Sequence, residues 1–302
     1  MANRTSRYSK GGSILNRSIS VETEVPKSTA SLSHARTVTP NDRREPHPPL
    51  EYETQWIGPV EFVSSTPEEA CDFIIGLSKL RIGHHIHLSN AYTVALANGD
   101  REYRQTLAYP ALNFPDGKPV AWVSSLRRDS PPLSQVRGPQ LFLDVFDQGR
   151  DHKIKHFLLG STPEVLEALK MNLSAKFPGI DIAGVESPPF RRMTASEVEL
   201  QDARIKASGA QIVWVGLGTP KQDVEARRIA GDLPVVAIAI GAAFDFAAGV
   251  LRPAPVWMRV VGLEWAYRLV REPRRLWKRY FFGNVQFCLA AISRRRHDVE
   301  HS

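Results

Sequence analysis

The run Gly216-Leu-Gly218-Thr219-Pro220-Lys221-Gln222 carries the densest spacing of chemistry-bearing residues in the chain. Glycines let a backbone approach a phosphate, and a helix opening behind them offers amides and the positive end of its dipole. Lys221 adds a point charge. The run is not the dinucleotide fingerprint, since Lys221 stands where a third glycine belongs, and it is not a Walker A loop. A tight strand-to-helix turn with no ligand fits the spacing equally well. Asp116 sits in Asn113-Phe-Pro-Asp-Gly-Lys-Pro, where Asp-Gly is itself a turn signal. A loop carboxylate can also accept a proton from a substrate hydroxyl; residue type alone favours the turn. Asn90 opens a helical pattern, so its side chain either caps that helix or meets a ligand, and capping is favoured.

Other constellations exclude chemistry. His84, His85 and His87 crowd one strand without acids or cysteines at metal spacing, so a core or solvated pair is favoured and no metal site is expected. No Gly-x-Ser-x-Gly elbow and no Cys/His arrangement stands out. Cys71 and Cys288 cannot make a disulfide framework and read as two buried, inert thiols in a reducing compartment.

The elements that must position these residues follow a repeating pattern. Short apolar runs at His85–Leu88, Lys155–Gly160, Ile180–Gly184, Gln211–Gly218 and Val235–Gly241 alternate with helical stretches. Those stretches run near 91–107, after Thr162-Pro-Glu, over 197–208 and over 221–230. The alternation predicts an α/β fold, a parallel sheet covered by helices on both faces. Ligands of such sheets lie beyond the carboxyl ends of the strands, which directs attention to Gly160, Ser161, Gly216, Gly218, Gly241 and Asp245. Residues 1–52 are rich in Ser, Thr, Arg and Pro and are expected to be a disordered tail, with residues 53–251 forming the α/β domain. No secretory signal and no membrane span is visible.

The formal net charge of +7 lies entirely in residues 252–302, among Trp257, Trp265, Trp277, Tyr280, Phe281 and Phe282. Arginines mixed with aromatics suit an anionic bilayer surface or a nucleic acid; a solvated helix face is the bland alternative. This segment is expected to form a basic, amphipathic helical appendage.

Several pieces resemble the bacterial WecG/TagA/CpsF glycosyltransferase family. They are Asn90-Ala-Tyr-Thr-Val-Ala-Leu-Ala, Leu112-Asn-Phe-Pro-Asp-Gly-Lys-Pro, Phe157-Leu-Leu-Gly-Ser-Thr-Pro-Glu, Pro188-Pro-Phe-Arg, Val215-Gly-Leu-Gly-Thr-Pro-Lys-Gln-Asp, Gly241-Ala-Ala-Phe-Asp-Phe-Ala-Ala-Gly and Gly262-Leu-Glu-Trp-Ala-Tyr-Arg. The resemblance implies a Rossmann-like fold. It also implies inverting transfer of a sugar from a UDP-sugar to a polyprenyl-diphosphate-linked saccharide in cell-surface polysaccharide synthesis. The enzyme would be peripheral on the inner face of the plasma membrane and need no metal cofactor. Asp116 is then the candidate general base and Gln222 a candidate donor contact. Asn90, Gly117, Gly160, Ser161, Gly216, Gly218, Pro220, Lys221, Asp245 and Arg252 line the expected substrate site.

The family hydroxyl two residues before Asn90 is replaced by Leu88, which leaves Ser89 or Thr93 to supply it. The segment Arg137-Gly-Pro-Gln140 has Gln where many members have Asp, and the arginine of Arg252-Pro-Ala-Pro is displaced by one. Backbone amides at Gly160-Ser161 and Gly216-Leu-Gly218, with Lys221 and Arg252, are expected to stabilise the UDP leaving group. Arg268, Arg271, Arg274, Arg275 and Arg279 are assigned to the acceptor diphosphate or the membrane surface. A Rossmann-type oxidoreductase and a basic nucleic-acid-binding protein are the rival classes.

Overall fold

The computed structural model describes residues 34–38, 50–127 and 131–292, with backbone alone at 34–38, 50–51, 259–260, 275, 278–282 and 292. Three antiparallel strands come first: β1 (His34–Val38), β2 (Leu50–Ile57) and β3 (Val60–Ser64). Residues 34–38 and 50–52, expected in the disordered tail, are thus paired in a sheet; the rest of residues 1–49 lies outside the described residues. Helix α1 (Pro67–Lys79) follows, and Thr66 and Glu69 close its capping box.

The α/β body then runs β4 (His84–Ser89), α2 (Ala91–Gly99), α3 (Arg101–Thr106), β5 (Leu112–Pro115), α4 (Lys118–Ser125), α5 (Gly138–Gly149), β6 (Lys155–Gly160) and α6 (Pro163–Lys176). It continues through β7 (Asp181–Glu186), α7 (Ala195–Ser208), β8 (Ile212–Gly216), α8 (Lys221–Asp232), β9 (Val236–Ala239) and α9 (Ala243–Ala247). The helix expected over 91–107 is two helices, because Asp100 is extended and its carboxylate caps α3.

The six strands β5-β4-β9-β8-β6-β7 are parallel throughout. Alternation along each strand divides the core between two faces. Ile86, Leu88, Leu158, Trp214 and Ile238 pack on one side with α1, α5 and α6. Leu159, Val213, Val215 and Ala237 pack on the other with Ile205, Ala226 and Ile229 of α7 and α8. The chain lays down β4 and β5, crosses to β6 and β7, and returns through β8 to β9 beside β4. The two halves meet at the β4–β9 junction, and ligands of such sheets bind beyond the carboxyl ends of the strands at a junction of this kind.

The C-terminal helices are α10 (Val256–Val260), α11 (Glu264–Arg271) and α12 (Pro273–Ile292). Phe287 and Ala290 of α12 are buried with Ile57, Val60 and Val94, so residues 273–292 are continuous with the core around α2. Among the described residues no helix is long and apolar enough to cross a membrane. Cys71 is buried, and its thiol is pushed up to about 12, first by burial and then by neighbouring acids. Cys288 is exposed, which corrects the expectation of two buried thiols.

Candidate active site

Asp116 leaves the carboxyl end of β5, where its main-chain N–H donates to the Ser89 carbonyl of β4 at 2.8 Å. One carboxylate oxygen accepts the Gly138 N–H at 3.2 Å, at the start of α5. Burial pushes its pKa up to about 6 from 3.8; the Gly138 N–H opposes this, Glu264 adds to it, and Arg137 and Arg268 pull it back. The result is a carboxylate poised near neutrality, the range in which a general base works best.

The surroundings of Asp116 come from distant parts of the chain. Arg137 forks onto Glu264 of α11, Nε to Oε2 at 3.0 Å and Nη2 to Oε1 at 2.6 Å. The Arg137 and Arg268 guanidiniums each lie 5.8 Å from the centre of the Phe246 ring. Phe246 also borders a cavity of about 310 Å³ whose walls include Leu251, Arg252, Tyr267, Arg268 and Arg271. The Arg268 Nε is buried there without a hydrogen-bond partner among the described residues. A buried guanidinium N–H left unpaired is costly, and an anionic ligand would satisfy it. Arg137, Glu264 and Phe246 were not singled out as site residues from the sequence. The available signal was Glu264, one of four acids in the most basic stretch and part of the Gly262-Leu-Glu-Trp piece.

Other expected site residues make internal contacts. Asn90 caps α2, its Oδ1 accepting from Tyr92 N at 3.0 Å and Thr93 N at 3.4 Å. Thr93 is buried, and its hydroxyl completes that cap, accepting from Asn90 N at 2.7 Å and donating to Asn90 O at 2.6 Å. Ser89 is buried and donates to Asn113 at 3.2 Å. Both hydroxyls offered as the replacement for the family's are thus engaged in internal hydrogen bonds.

Two amides of the expected phosphate cradle, Ser161 N and Gly218 N, are held by neighbouring loops. Ser161 N donates to the Gly216 carbonyl at 3.2 Å. Gly218 N and Gly241 N both donate to the Gln222 Oε1, at 3.0 Å and 3.2 Å. Gln222 is buried, and its carbonyl oxygen ties the loops after β8 and β9 together instead of standing open to a donor. Gly160 is required where it lies: its φ is +131°, and a Cβ would strike the Gly216 carbonyl oxygen. Gly117 and Pro220 precede α4 and α8 respectively, and Lys221 is exposed at the first turn of α8. Asp245 is half-buried in α9, where its carbonyl accepts from Leu251 N at 3.0 Å.

Arg252 and Arg271 are exposed on the cavity wall, and Arg271 also donates to the Tyr267 hydroxyl at 3.3 Å. Arg274 is exposed on α12; the Arg275 and Arg279 side chains lie outside the described residues. Behind the loops, His85 and His87 form the expected core pair: His85 Nδ1 meets His87 Nε2 at 2.9 Å. His87 Nδ1 meets Asp223 at 3.0 Å, and Tyr103 donates to the same carboxylate at 3.0 Å. Among the described residues no cluster of three His, Cys, Asp or Glu could hold a metal ion.

A carboxylate held near neutrality in the field of Arg137 and Arg268, just past the carboxyl end of a parallel strand, suits an enzyme that activates a hydroxyl next to an anionic group. The chain belongs to the WecG/TagA/CpsF family of glycosyl transferases, whose model matches residues 56–300. It is a glycosyltransferase, and the oxidoreductase and nucleic-acid-binding alternatives are not favoured. Over 200 residues it is 30% identical to the N-acetylglucosaminyldiphosphoundecaprenol N-acetyl-beta-D-mannosaminyltransferase of Bacillus subtilis (strain 168), a span of 66% of this chain and 75% of the relative.

Proposed function

We propose that the protein transfers a sugar from a UDP-sugar to a saccharide carried on polyprenyl diphosphate, with inversion at the anomeric carbon. The observation that carries this is Asp116, with its pKa raised to about 6, in the electrostatic field of Arg137 and Arg268. The Asp116 carboxylate takes the proton of the acceptor hydroxyl as that oxygen bonds to the anomeric carbon. The bond from that carbon to UDP breaks on the opposite face, and the electron pair leaves with the β-phosphate.

Arg252, Arg268 and Arg271 stabilise the diphosphate charge, since a guanidinium fork matches phosphate oxygens. Lys221 adds charge at the α8 terminus. These cations take over the role expected of the Ser161 and Gly218 amides, and no resident metal is assigned a role. Gln222 acts by holding the two glycine loops in register. The relative is named for adding an N-acetyl-β-D-mannosaminyl unit, and a β product from an α-linked UDP-sugar is the inverting outcome. UDP-N-acetylmannosamine with a polyprenyl-diphosphate-linked N-acetylglucosamine is therefore the first pair to assay.

A lipid-linked acceptor stays in the bilayer, and the exposed aromatics and arginines of α10–α12 support docking at a membrane surface, which we take to be the inner face. A panel of UDP-sugars with that acceptor tests donor class and identity together. Lipid-dependent release of UDP, undiminished by EDTA, is expected from one donor. Release from a different nucleotide sugar alone would refute the donor assignment.

A further inference from the structure

We propose that Glu264 is a positioning residue for sugar transfer, clasping α11 through Arg137 onto the rim of the Asp116 loop. This rests on the assignment of Asp116 as the base. Arg137 immediately precedes α5, and the next residue, Gly138, donates its N–H to Asp116. Glu264 is the first residue of α11, where its charge also suits the helix dipole. Arg268 lies four residues on, one turn along the same face. One ion pair therefore fixes the backbone that holds the base and the helix that carries Arg268, whose Nε is buried without a hydrogen-bond partner among the described residues.

Exposed ion pairs contribute little, but this one is bidentate, and its side chains are only 19% and 24% exposed. A second contact grips the other wall of the Asp116 loop. Gly262 has a φ of +76°, and a Cβ there would lie 2.6 Å from Trp122 Cζ2 and 2.9 Å from Lys118 Cβ. Trp122 and Lys118 belong to α4, which starts just after Asp116-Gly117. Residues 262 and 264 thus hold the starts of α4 and α5, on either side of the base.

The same pair sets the charge that Asp116 feels. Arg137 faces Asp116 from the start of α5, and Glu264 and Arg268 face it from α11. Of the adjoining elements, α4 carries Lys118, α2 carries Tyr92, β4 carries His84, His85 and His87, α9 carries Asp245, and α5 carries Asp144 and Asp147 further along the helix. Removing the Glu264 charge withdraws a group that raises the Asp116 pKa, whereas removing the Arg137 charge withdraws one that lowers it. A merely structural loosening would move both variants the same way.

The test uses the full-length protein as wild type, Glu264→Gln, Arg137→Gln and the double variant. Hydrogen exchange of α11 amides should quicken about tenfold in either single variant, with no further gain in the double. The acid limb of kcat/KM should move to lower pH in Glu264→Gln and to higher pH in Arg137→Gln. Unchanged or additive exchange, or limbs that stay put or shift together, would overturn the clasp. A wild-type protein that transfers from no UDP-sugar would refute the donor assignment instead. In that case the exchange result alone upholds or overturns the clasp.

Discussion

Asp116 works against the stability of the fold that holds it. Its pKa is about 6 in the folded protein against 3.8 as the ordinary value, so between those pH values the folded chain binds a proton the unfolded chain has lost. Stability from this group is present below pH 3.8, falls as pH rises through 6, and stays lowered above it. Asp116→Asn removes the buried charge and should stabilise the protein at pH 7.5 by on the order of 1 kcal/mol, with no gain at pH 3.5. Urea unfolding at the two pH values measures this; a variant less stable than wild type at pH 7.5 would contradict the assigned environment. The Asp-Gly turn was legible in the sequence, but its electrostatics were not. They come from Gly138, Glu264, Arg137 and Arg268, which reach Asp116 only after the sheet and α11 have formed. Thr93 shows the converse: a hydroxyl that looks available in sequence is absorbed by the cap it makes with Asn90.

At the scale of elements, the strands legible in the sequence are the short, mostly apolar runs, such as Val213-Trp-Val and Val236-Ala-Ile-Ala. β5 escaped notice because it has four residues, among them Asn113, whose amide is buried against the Glu61 and Leu107 carbonyls at 2.9 Å each. The β1–β3 sheet was missed because polar residues such as Thr54 and Gln55 are buried there as well as Tyr52 and Phe62. The His85–His87–Asp223–Tyr103 chain joins β4, α8 and α3 and fixes the turn that carries Gln222. Asp223→Ala would remove the carboxylate that His87 Nδ1 and the Tyr103 hydroxyl meet in the core, costing about 3 kcal/mol. Tyr103→Phe should cost about 1 kcal/mol. Chemical denaturation checks both, and UDP affinity should fall with Asp223→Ala as the glycine loops lose their anchor. A Asp223→Ala variant as stable as wild type would show that the chain of hydrogen bonds contributes nothing.

At the scale of the molecule, the sequence located the charge and the aromatics of residues 252–302 but not how deeply that segment enters the core. Phe287 and Ala290 cover Ile57 and Val94. Removing everything after Leu251 would therefore expose an apolar face of α2, and surface substitutions are the sounder test of membrane docking. Trp257, Val270 and Trp277 are 61%, 80% and 47% exposed on α10, α11 and α12. Replacing all three by Ser should abolish sedimentation with anionic liposomes and leave the melting temperature unchanged. Undiminished sedimentation would remove these helices from the membrane assignment. The central claim, Asp116-dependent sugar transfer to a lipid-linked acceptor, is tested most directly by turnover of wild type and Asp116→Asn side by side, with UDP binding measured on both. UDP-N-acetylmannosamine and polyprenyl-diphosphate-linked N-acetylglucosamine are the substrates. The expected result is a β-linked lipid disaccharide from wild type, equal UDP affinity in both proteins, and turnover reduced by about a hundredfold or more in the variant. Equal turnover by Asp116→Asn would contradict the account.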